Sequence, residues 1–354
     1  MTRRVAIVGA GMAGASLAAM IAGTDSVVLL EAEAHPGFHA TGRSAAFWSE
    51  TYGGPGVQPL TSASGPFLHQ PPAAFGGEPF LAARGELMIA PAADPAALDA
   101  FAARFAGSGI AMMREDAALR VPGLRGEWQG LWMPSCADID VARLHGAFLA
   151  RARRLGATLR CGAMLMEARR EAGSWRLRLG DGAVVEADVL VNAAGAWADR
   201  VAALAGARPV GIQPYRRTMV QLRVDPPAPP SLPVVMDAAG GFYFKPEPGG
   251  RVWLTPHDET PVEPGDVAAE EIDVALAIDR MQRVVDWRIE AVERRWAGLR
   301  SFAPDRLPVY GWDPRVEGLF WCAGQGGFGI QTAPAGAALC AALMGRGTAP
   351  PGVD

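Results

Sequence analysis

The apolar and polar positions of the first thirty residues form a strand, a helix and a second strand. Val5–Val8 is fully apolar, which is typical of a parallel strand buried on both faces. A stretch rich in Ala, Leu and Met then continues to about Ala22, and Val27–Leu30 is a second apolar run. The pattern predicts the first βαβ unit of a doubly wound α/β domain.

A glycine-rich turn joins the first strand to the helix. Gly9, Gly11 and Gly14 follow the spacing Gly-x-Gly-x-x-Gly, and Glu31 closes the second strand. These glycines allow a tight turn, close approach of a diphosphate and close packing of the helix, while a terminal acid can bind ribose hydroxyls. Since strand, helix and acid all agree, the motif predicts a dinucleotide site. The alternative is an ordinary turn.

Two later segments have the pattern of strands that return to this region. The apolar run Asp188–Asn192 leads into the small residues Ala193–Trp197. The apolar run Leu319–Ala323 leads into the glycine-rich loop Gly324–Gln331, and a helix is predicted over Thr332–Met344. Backbone N–H groups in such a loop can surround an electron-rich group.

The chain between these segments is richer in strands that alternate apolar and polar residues. Gly85–Ala90 and residues from about 210 to 295 show this pattern, for example in Met219–Val224, and the prolines of Asp225–Pro230 indicate an exposed turn. We expect a second, antiparallel region inserted twice into the first.

Composition narrows the function classes. The formal net charge of −4 argues against a nucleic-acid surface, and no run of about 20 apolar residues predicts a membrane span. The four cysteines are far apart and form no metal-binding or disulfide pattern. We therefore expect no bound metal, and we expect the protein in a reducing, cytoplasmic compartment. A small-molecule substrate is the expected partner.

The segment Thr41–Ala46, just after the second strand, resembles the D-amino-acid-oxidase superfamily of FAD enzymes. Val191–Trp197, Trp296–Phe302 and Gln325–Thr332 extend the resemblance along the chain, where it is nearest to the bacterial FAD-dependent D-arginine dehydrogenases. The resemblance implies FAD as the cofactor. Its attachment is expected to be non-covalent, because related covalent flavoenzymes use a cysteine after the Gly-Leu-Arg turn and Ser301–Pro308 contains none.

The resemblance also implies which residues contact FAD. They are the first turn, the acid that closes the second strand, the small-residue segment and the two later loops: Gly9, Gly11, Met12, Ala13, Gly14, Glu31, Ala32, Thr41, Gly42, Arg43, Ser44, Ala45, Ala46, Ala194, Gly195, Trp197, Arg300, Gly326, Gly327, Phe328, Gly329, Ile330 and Gln331.

Two arginines match the positions that bind the substrate carboxylate in these enzymes. They are Arg217 and Arg300, and a planar guanidinium holds a carboxylate in a way that lysine does not. In an extended segment Arg216 points the opposite way from Arg217, so only one of them can face the site. Tyr52 and Tyr243 match tyrosines at the same carboxylate and at the lid over the site.

Further matches concern the rest of the substrate. Glu86 matches the acid that faces the cationic end of D-arginine or D-lysine, and the backbone at Gly327 is a candidate to hold the amine. Phe47 stands where a histidine is expected and Ser49 where a threonine is expected. Phe47 favours apolar substrate side chains, so basic and apolar side chains both remain open.

The implied fold is α/β (α+β overall). A Rossmann-like FAD-binding domain is expected from residues 1–80, 140–208 and 296–354, and an inserted antiparallel-sheet substrate domain from 81–139 and 209–295. The implied reaction moves a hydride from Cα of a D-amino acid to flavin N5, and the imine hydrolyses to a 2-oxo acid and ammonia.

Two alternatives remain open. One is an oxygen-using amine or amino acid oxidase of the glycine or sarcosine oxidase type, and the other is a flavin-binding protein without this activity. The electron acceptor, a quinone or another molecule, is not set by the sequence. An acceptor in the inner membrane would place this cytoplasmic protein at the membrane periphery.

Overall fold

The computed structural model describes residues 2–353, and Met1 and Asp354, the ends of the predicted first domain, lie outside the described residues. Within residues 2–353 there are seven helices: α1 (Met12–Ile21), α2 (Gln58–His69), α3 (Pro95–Ala103), α4 (Val141–Arg154), α5 (Ala198–Leu204), α6 (Glu271–Val284) and α7 (Ala333–Leu343). None of them combines the length and apolar character that a membrane span requires.

The strands of the described residues fall into two large and two small sheets. In chain order they are β1 (Arg4–Val8), β2 (Ser26–Leu30), β3 (Phe47–Trp48), β4 (Leu81–Ala83), β5 (Glu86–Pro91), β6 (Met113–Asp116), β7 (Trp128–Met133), β8 (Ala137–Ile139), β9 (Thr158–Arg160), β10 (Leu165–Glu171), β11 (Ser174–Leu179), β12 (Val184–Ala187), β13 (Val189–Asn192), β14 (Gln213–Asp225), β15 (Val234–Asp237), β16 (Tyr243–Glu247), β17 (Arg251–Thr255), β18 (Thr260–Pro261), β19 (Arg288–Phe302), β20 (Val309–Trp312), β21 (Leu319–Ala323) and β22 (Gln325–Gly326).

The first large sheet has the strand order β20-β21-β13-β1-β2-β9 and is parallel except for β20. Its strands are apolar on both sides because both faces are covered. Helices α1, α4 and α7 pack on one face, and α5 with the β10-β11-β12 sheet packs on the other. The chain leaves β1 towards β2 and later returns to β13 on the other side of β1. Ligands bind in such sheets at this change of direction, beyond the carboxyl ends of the strands.

The second large sheet has the order β22-β19-β14-β17-β16-β15-β5-β7-β6, and β18 pairs with β14. Its pairs are antiparallel except for β5 with β15. Helix α6 packs on this sheet around Phe244 and Trp287. The predicted α/β fold with an additional, mostly antiparallel sheet is confirmed.

The predicted domain ranges remain a proposal, and one bound is crossed by a strand. The predicted boundary between the substrate domain and the last FAD-binding segment, at residue 296, falls inside β19. This strand pairs with β14 along its length from Arg288 to Phe302. The last segment of the chain therefore contributes to both large sheets. A small sheet of β3, β8 and β4 also joins residues from the two predicted regions.

Candidate active site

A cavity of about 720 Å³ lies at the carboxyl end of β1. Its wall includes the turn after β1 and the end of β2. From the second large sheet it includes Arg217 and Met219 of β14 and Tyr243 of β16. The cavity therefore joins the predicted cofactor region to the predicted substrate region.

The first turn requires glycine at two positions. Gly9 has φ +101°, and a Cβ there would lie 2.4 Å from the carbonyl oxygen of Ala193. A Cβ on Gly14 would lie 2.0 Å from the carbonyl oxygen of Gly9. Gly14 therefore serves the close packing of α1 on β1, as its place in the motif predicts.

Three predicted cofactor contacts do not reach the cavity wall, namely Gly14, Gly42 and Phe328. The N–H of Gly42 donates to the carbonyl oxygen of Gly37 at 2.8 Å, which closes the turn that carries Thr41. The ring of Phe328 packs against Tyr52, with ring centroids 5.5 Å apart. These residues shape the wall from behind it, and their contact with the cofactor stays a prediction. The other predicted cofactor residues line the cavity.

The carboxylate of Glu31 is buried and organises the first turn. Its Oε2 accepts the N–H of Ala10 at 2.9 Å, and its Oε1 accepts the N–H of Glu33 at 3.1 Å. Glu31 also lines the cavity. Each carboxylate oxygen can accept more than one hydrogen bond, so the predicted ribose contact is compatible with this geometry.

The small-residue segment is held on both sides. The hydroxyl of Thr41 accepts the N–H of Met12 at 2.9 Å, which links it to α1. The guanidinium of Arg43 donates to the carbonyl oxygen of Ala297 at 3.1 Å and pairs with Asp266 at 2.6 Å. Arg43 lines the cavity, but its charge is balanced by Asp266 and its donors hold the segment against β19.

The alternation of β14 separates its two adjacent arginines as predicted. Arg216 pairs with Asp273 at 2.9 Å, whereas Arg217 lines the cavity. On the neighbouring strand Arg300 lies opposite Tyr215, two residues from Arg217. Residues in this diagonal relationship share one face of a sheet. The structure therefore brings Arg217 and Arg300 together.

The guanidinium of Arg217 is buried and one of its nitrogens is free. Its Nε donates to the carbonyl oxygen of Asp258 at 2.8 Å, and its Nη2 lies 3.3 Å from Oε1 of Glu259. Nη1 is buried and has no hydrogen-bond partner among residues 2–353. Burial and the charge of Arg300 lower the pKa of Arg217. A carboxylate bound in the cavity, which both arginines line, would reduce the repulsion between the two cations.

The side chain of Arg300 is placed by Gly327 and Tyr52. A Cβ on residue 327 would lie 1.5 Å from Nη2 of Arg300, so the guanidinium lies directly against the glycine. The same Nη2 donates to the hydroxyl oxygen of Tyr52 at 2.8 Å. The sequence analysis predicted that the backbone at Gly327 holds the substrate amine. The structure shows that it makes room for the arginine.

Aromatic and sulfur-containing side chains cover the site next to the arginines. The ring of Phe47 lies 5.0 Å from that of Tyr52 and 5.4 Å from that of Tyr243, measured between centroids. The hydroxyl of Tyr243 donates to the sulfur of Met219 at 3.6 Å. Burial raises the pKa of Tyr243 well above its usual range, so the hydroxyl stays protonated.

The loop at residues 257–259, between β17 and β18, supplies three polar residues that the sequence analysis missed. Asp258 accepts both the N–H and the hydroxyl of Thr218, at 2.8 and 2.9 Å. Glu259 lies 3.3 Å from Arg217 and 3.6 Å from Arg300. Both acids offset the charge of the arginines. Their only signal in the sequence was an acidic pair that follows a strand.

The third residue of this loop, His257, packs against Tyr52 and Tyr243 outside the cavity wall. Its Nδ1 donates to the carbonyl oxygen of Gly240 at 3.1 Å, so Nε2 carries the lone pair. Burial and the charges of Arg217 and Arg300 lower the pKa of His257 to about 3. The imidazole is therefore neutral at physiological pH.

Glu86 and Ser49 do not reach the cavity wall, contrary to the prediction. Glu86 is fully buried, and neither of its carboxylate oxygens has a hydrogen-bond partner among the described residues. Burial raises its pKa to about 7, and the hydroxyls of Ser49 and Thr51 offset this effect only in part. Ser49 is buried and bonds through its hydroxyl to Thr51. Phe47 does line the cavity.

Residues 4–343 match the protein family described as FAD dependent oxidoreductase (DAO). The chain belongs to this family. It is 29% identical to the glycine oxidase of Pseudomonas aeruginosa over 250 residues, which are 65% of this chain and 62% of that protein. The chain spans less than two thirds of the length of the curated relatives that it matches.

Solved structures extend the similarity to nearly the whole chain. The glycine oxidase of Geobacillus kaustophilus is 25% identical, with a TM-score of 0.82 over 98% of this chain and 96% of that one. The L-proline dehydrogenase of P. horikoshii is 20% identical, with a TM-score of 0.85 over 99% of this chain and 95% of that one, which shows the same fold. The similarity is thus to the superfamily, and D-arginine dehydrogenase is not singled out within it.

The cofactor of this family is FAD, and the residues of the cavity fit it. Gly11 lines the cavity at the start of α1, where a phosphate is favoured, and its N–H has no acceptor among the described residues. No cysteine of the described residues lines the cavity. The wall formed by the described residues therefore offers no cysteine thiol to the cofactor.

Proposed function

We propose that this protein oxidises an α-amino acid with a small or apolar side chain, using FAD, to an imine that water hydrolyses to a 2-oxo acid and ammonia. The observation that carries the proposal is that Arg217 and Arg300, on adjacent paired strands, both line the cavity. Two guanidiniums on the wall of one cavity repel each other, and a substrate carboxylate bound there would reduce this repulsion and accept charge-assisted hydrogen bonds.

The arginine pair orients the substrate. Because Arg217 and Arg300 come from two paired strands and are held by Asp258, Glu259 and Tyr52, their positions are set before binding. A carboxylate bound to both guanidiniums fixes the direction of Cα and lowers the entropic cost of alignment. FAD, when bound, supplies the hydride acceptor.

The substrate amine must be neutral before the hydride leaves, since an ammonium has no lone pair to form the imine. Tyr243 keeps its own proton, because burial raises its pKa. His257 lies outside the wall, and its pKa of about 3 makes it a weak base. Solvent is therefore the proposed proton acceptor.

The side-chain preference follows from the aromatic part of the wall. Phe47, Tyr52, Met219 and Tyr243 line the cavity, whereas Glu86 is buried outside it. A cationic side chain would meet no carboxylate there, so small or apolar side chains fit better than those of arginine or lysine. The similarity to glycine oxidases supports a small substrate. The D-configuration of larger substrates is part of the proposal and rests on the family resemblance.

An anaerobic panel tests the proposal, with bleaching of the bound flavin as the readout. We expect bleaching by glycine and by D-alanine or D-valine, faster than by D-arginine, and none by the matched L-amino acids. Faster reaction with D-arginine would contradict the side-chain class. Absence of bleaching with all amino acids and with N-methylglycine would contradict the function.

A second candidate is an oxidase, in which oxygen is the electron acceptor. The similarity to two glycine oxidases favours it. Stopped-flow mixing of the reduced protein with air-saturated buffer distinguishes the two. Reoxidation within the turnover time supports an oxidase, whereas much slower reoxidation supports a dehydrogenase with a quinone or another acceptor.

A further inference from the structure

The imidazole of His145, on α4, is bonded to the cofactor-binding turn. Helix α4 packs against α1, and His145 is buried between them and the turn. Its Nε2 lies 2.9 Å from the carbonyl oxygen of Ala10. Because a carbonyl oxygen only accepts hydrogen bonds, Nε2 carries the proton and donates it. Burial lowers the pKa of His145, so the ring is neutral at physiological pH.

This hydrogen bond sets the direction of the next N–H group. In a trans peptide the C=O of one residue and the N–H of the next point in opposite directions. With the Ala10 carbonyl directed at His145, the N–H of Gly11 points away from α4, and Gly11 lines the cavity. The orientation of this N–H group therefore depends on the side chain of His145, which is 135 residues away from Ala10 in the chain.

Two neighbouring N–H groups of the turn are already used. The N–H of Ala10 donates to Glu31, and the N–H of Met12 donates to Thr41. The N–H of Gly11 has no acceptor among residues 2–353. It stands at the beginning of α1, where the helix dipole also favours an anion. Gly11 is therefore a donor of this turn that remains for a diphosphate.

His145 also contacts the second loop of the cavity. A Cβ on Gly37 would lie 3.1 Å from Cε1 of His145, so the imidazole fits closely against this glycine. The carbonyl oxygen of Gly37 accepts the N–H of Gly42, next to Thr41. One imidazole thus supports both the first turn and the loop that carries Thr41.

We propose that His145 is a positioning residue for FAD binding, which directs the Gly11 N–H at the cofactor diphosphate by holding the Ala10 carbonyl. The role rests on FAD as the cofactor and does not depend on which substrate is oxidised. It involves no contact between His145 and the substrate.

Two substitutions separate the hydrogen bond from packing. His145→Gln places an amide N–H near the position of Nε2 and keeps the donor, whereas His145→Met fills a similar volume without a donor. Loss of one hydrogen bond corresponds to about a tenfold weaker binding of FAD. We expect this loss for His145→Met and a change below about threefold for His145→Gln. The measurement is quenching of flavin fluorescence as FAD is added to the deflavinated proteins.

ADP serves as a second probe because it carries the diphosphate without the isoalloxazine ring. We expect His145→Met to weaken the binding of ADP and the binding of FAD by the same factor. Binding of acetate to the FAD-saturated variant should be unchanged, since the arginine pair is not affected. FAD binding by His145→Met as tight as in the native protein would overturn the proposal. Equal weakening in His145→Gln and His145→Met would also overturn it, because packing alone would then explain both.

If His145→Met does not fold, as judged from thermal melting of the deflavinated protein, His145→Asn takes its place. The shorter amide keeps the polarity but does not reach the Ala10 carbonyl, so the same difference from His145→Gln is expected. Failure of the proposed amino acid oxidation would leave these binding constants unaffected, so the two proposals fail separately.

Discussion

The Nη2 atom of Arg300 donates a hydrogen bond of 2.8 Å to the hydroxyl oxygen of Tyr52, which is 248 residues earlier in the chain. The contact joins β19 to the loop that follows β3. Because the phenol oxygen is occupied as an acceptor, its own proton is left to donate towards the cavity, which Tyr52 lines. Arg300 and Tyr52 thus form one unit that can bind a carboxylate with both charge and a hydroxyl donor.

Replacement of Tyr52 by Phe tests this unit. The change removes the acceptor of Arg300 and one donor to the substrate but keeps the aromatic ring. Loss of a hydrogen bond to a charged group should lower kcat/KM by about tenfold to a hundredfold, mainly through KM. Steady-state kinetics measure it, and the FAD content should stay at one per chain. An unchanged KM would show that the hydroxyl does not contact the carboxylate.

Arg217→Lys should lower kcat/KM by about a hundredfold or more. Lysine keeps the charge but cannot donate at the same time to Asp258, Glu259 and a carboxylate. Acetate binding to the oxidised protein, followed by the flavin absorbance, should weaken in parallel. Arg223→Lys is the matched control, because Arg223 lies on the same strand with an exposed side chain. Equal kinetics of the two variants would exclude Arg217 from substrate binding.

Gly327→Ala should displace Arg300. Residue 327 has no left-handed backbone angle, so the effect comes from the Cβ, which would lie 1.5 Å from the guanidinium. A shift of about 1 Å in a positioning group can lower kcat by about a hundredfold. Gly146→Ala is the control, since a Cβ there meets no atom within 4 Å. Native-like turnover of Gly327→Ala would contradict the close contact with Arg300.

Glu86→Gln should stabilise the protein at high pH. Burial raises the pKa of Glu86 from 4.5 to about 7. Between these values the unfolded chain loses the proton while the folded protein keeps it, so stability falls as pH rises through this window. The full cost, about 3 kcal/mol, applies above pH 7, and none applies below pH 4.5.

Urea unfolding at several pH values between 4.5 and 8.5 measures this effect. The difference between Glu86→Gln and the native protein should grow with pH and level off above pH 7. Glu317→Gln is the control, because the side chain of Glu317 is exposed. A difference that does not vary with pH would show that Glu86 ionises normally in the folded state.

Local patterns predicted much of the cofactor region. The strand, turn and helix from Arg4 to Ile21 and the roles of Gly9 and Gly14 follow from steric rules that act over a few residues. The opposite directions of Arg216 and Arg217 follow from the two-residue period of a strand. The sequence alone predicted this alternation, and the family resemblance predicted that Arg217 is the arginine that faces the site.

Contacts between distant segments decided the remainder. The partners of Arg217 come from the loop at residues 257–259, and their roles depend on how β18 pairs with β14. The bond between His145 and Ala10 depends on the packing of α4 on α1. The resemblance predicted that Glu86 faces a cationic substrate, but the packing of β5 between β7 and β15 buries this side chain.

The sequence by itself determined the elements, the dinucleotide turn and the types of residue available for a carboxylate, because these depend on short-range sterics and on side-chain chemistry. Only the tertiary structure decided which polar groups line the cavity, which are balanced by other residues and which are buried. Burial and charge balance are properties of a residue's neighbours in space, and the chain order of residues such as Glu86 and Glu259 does not specify those neighbours.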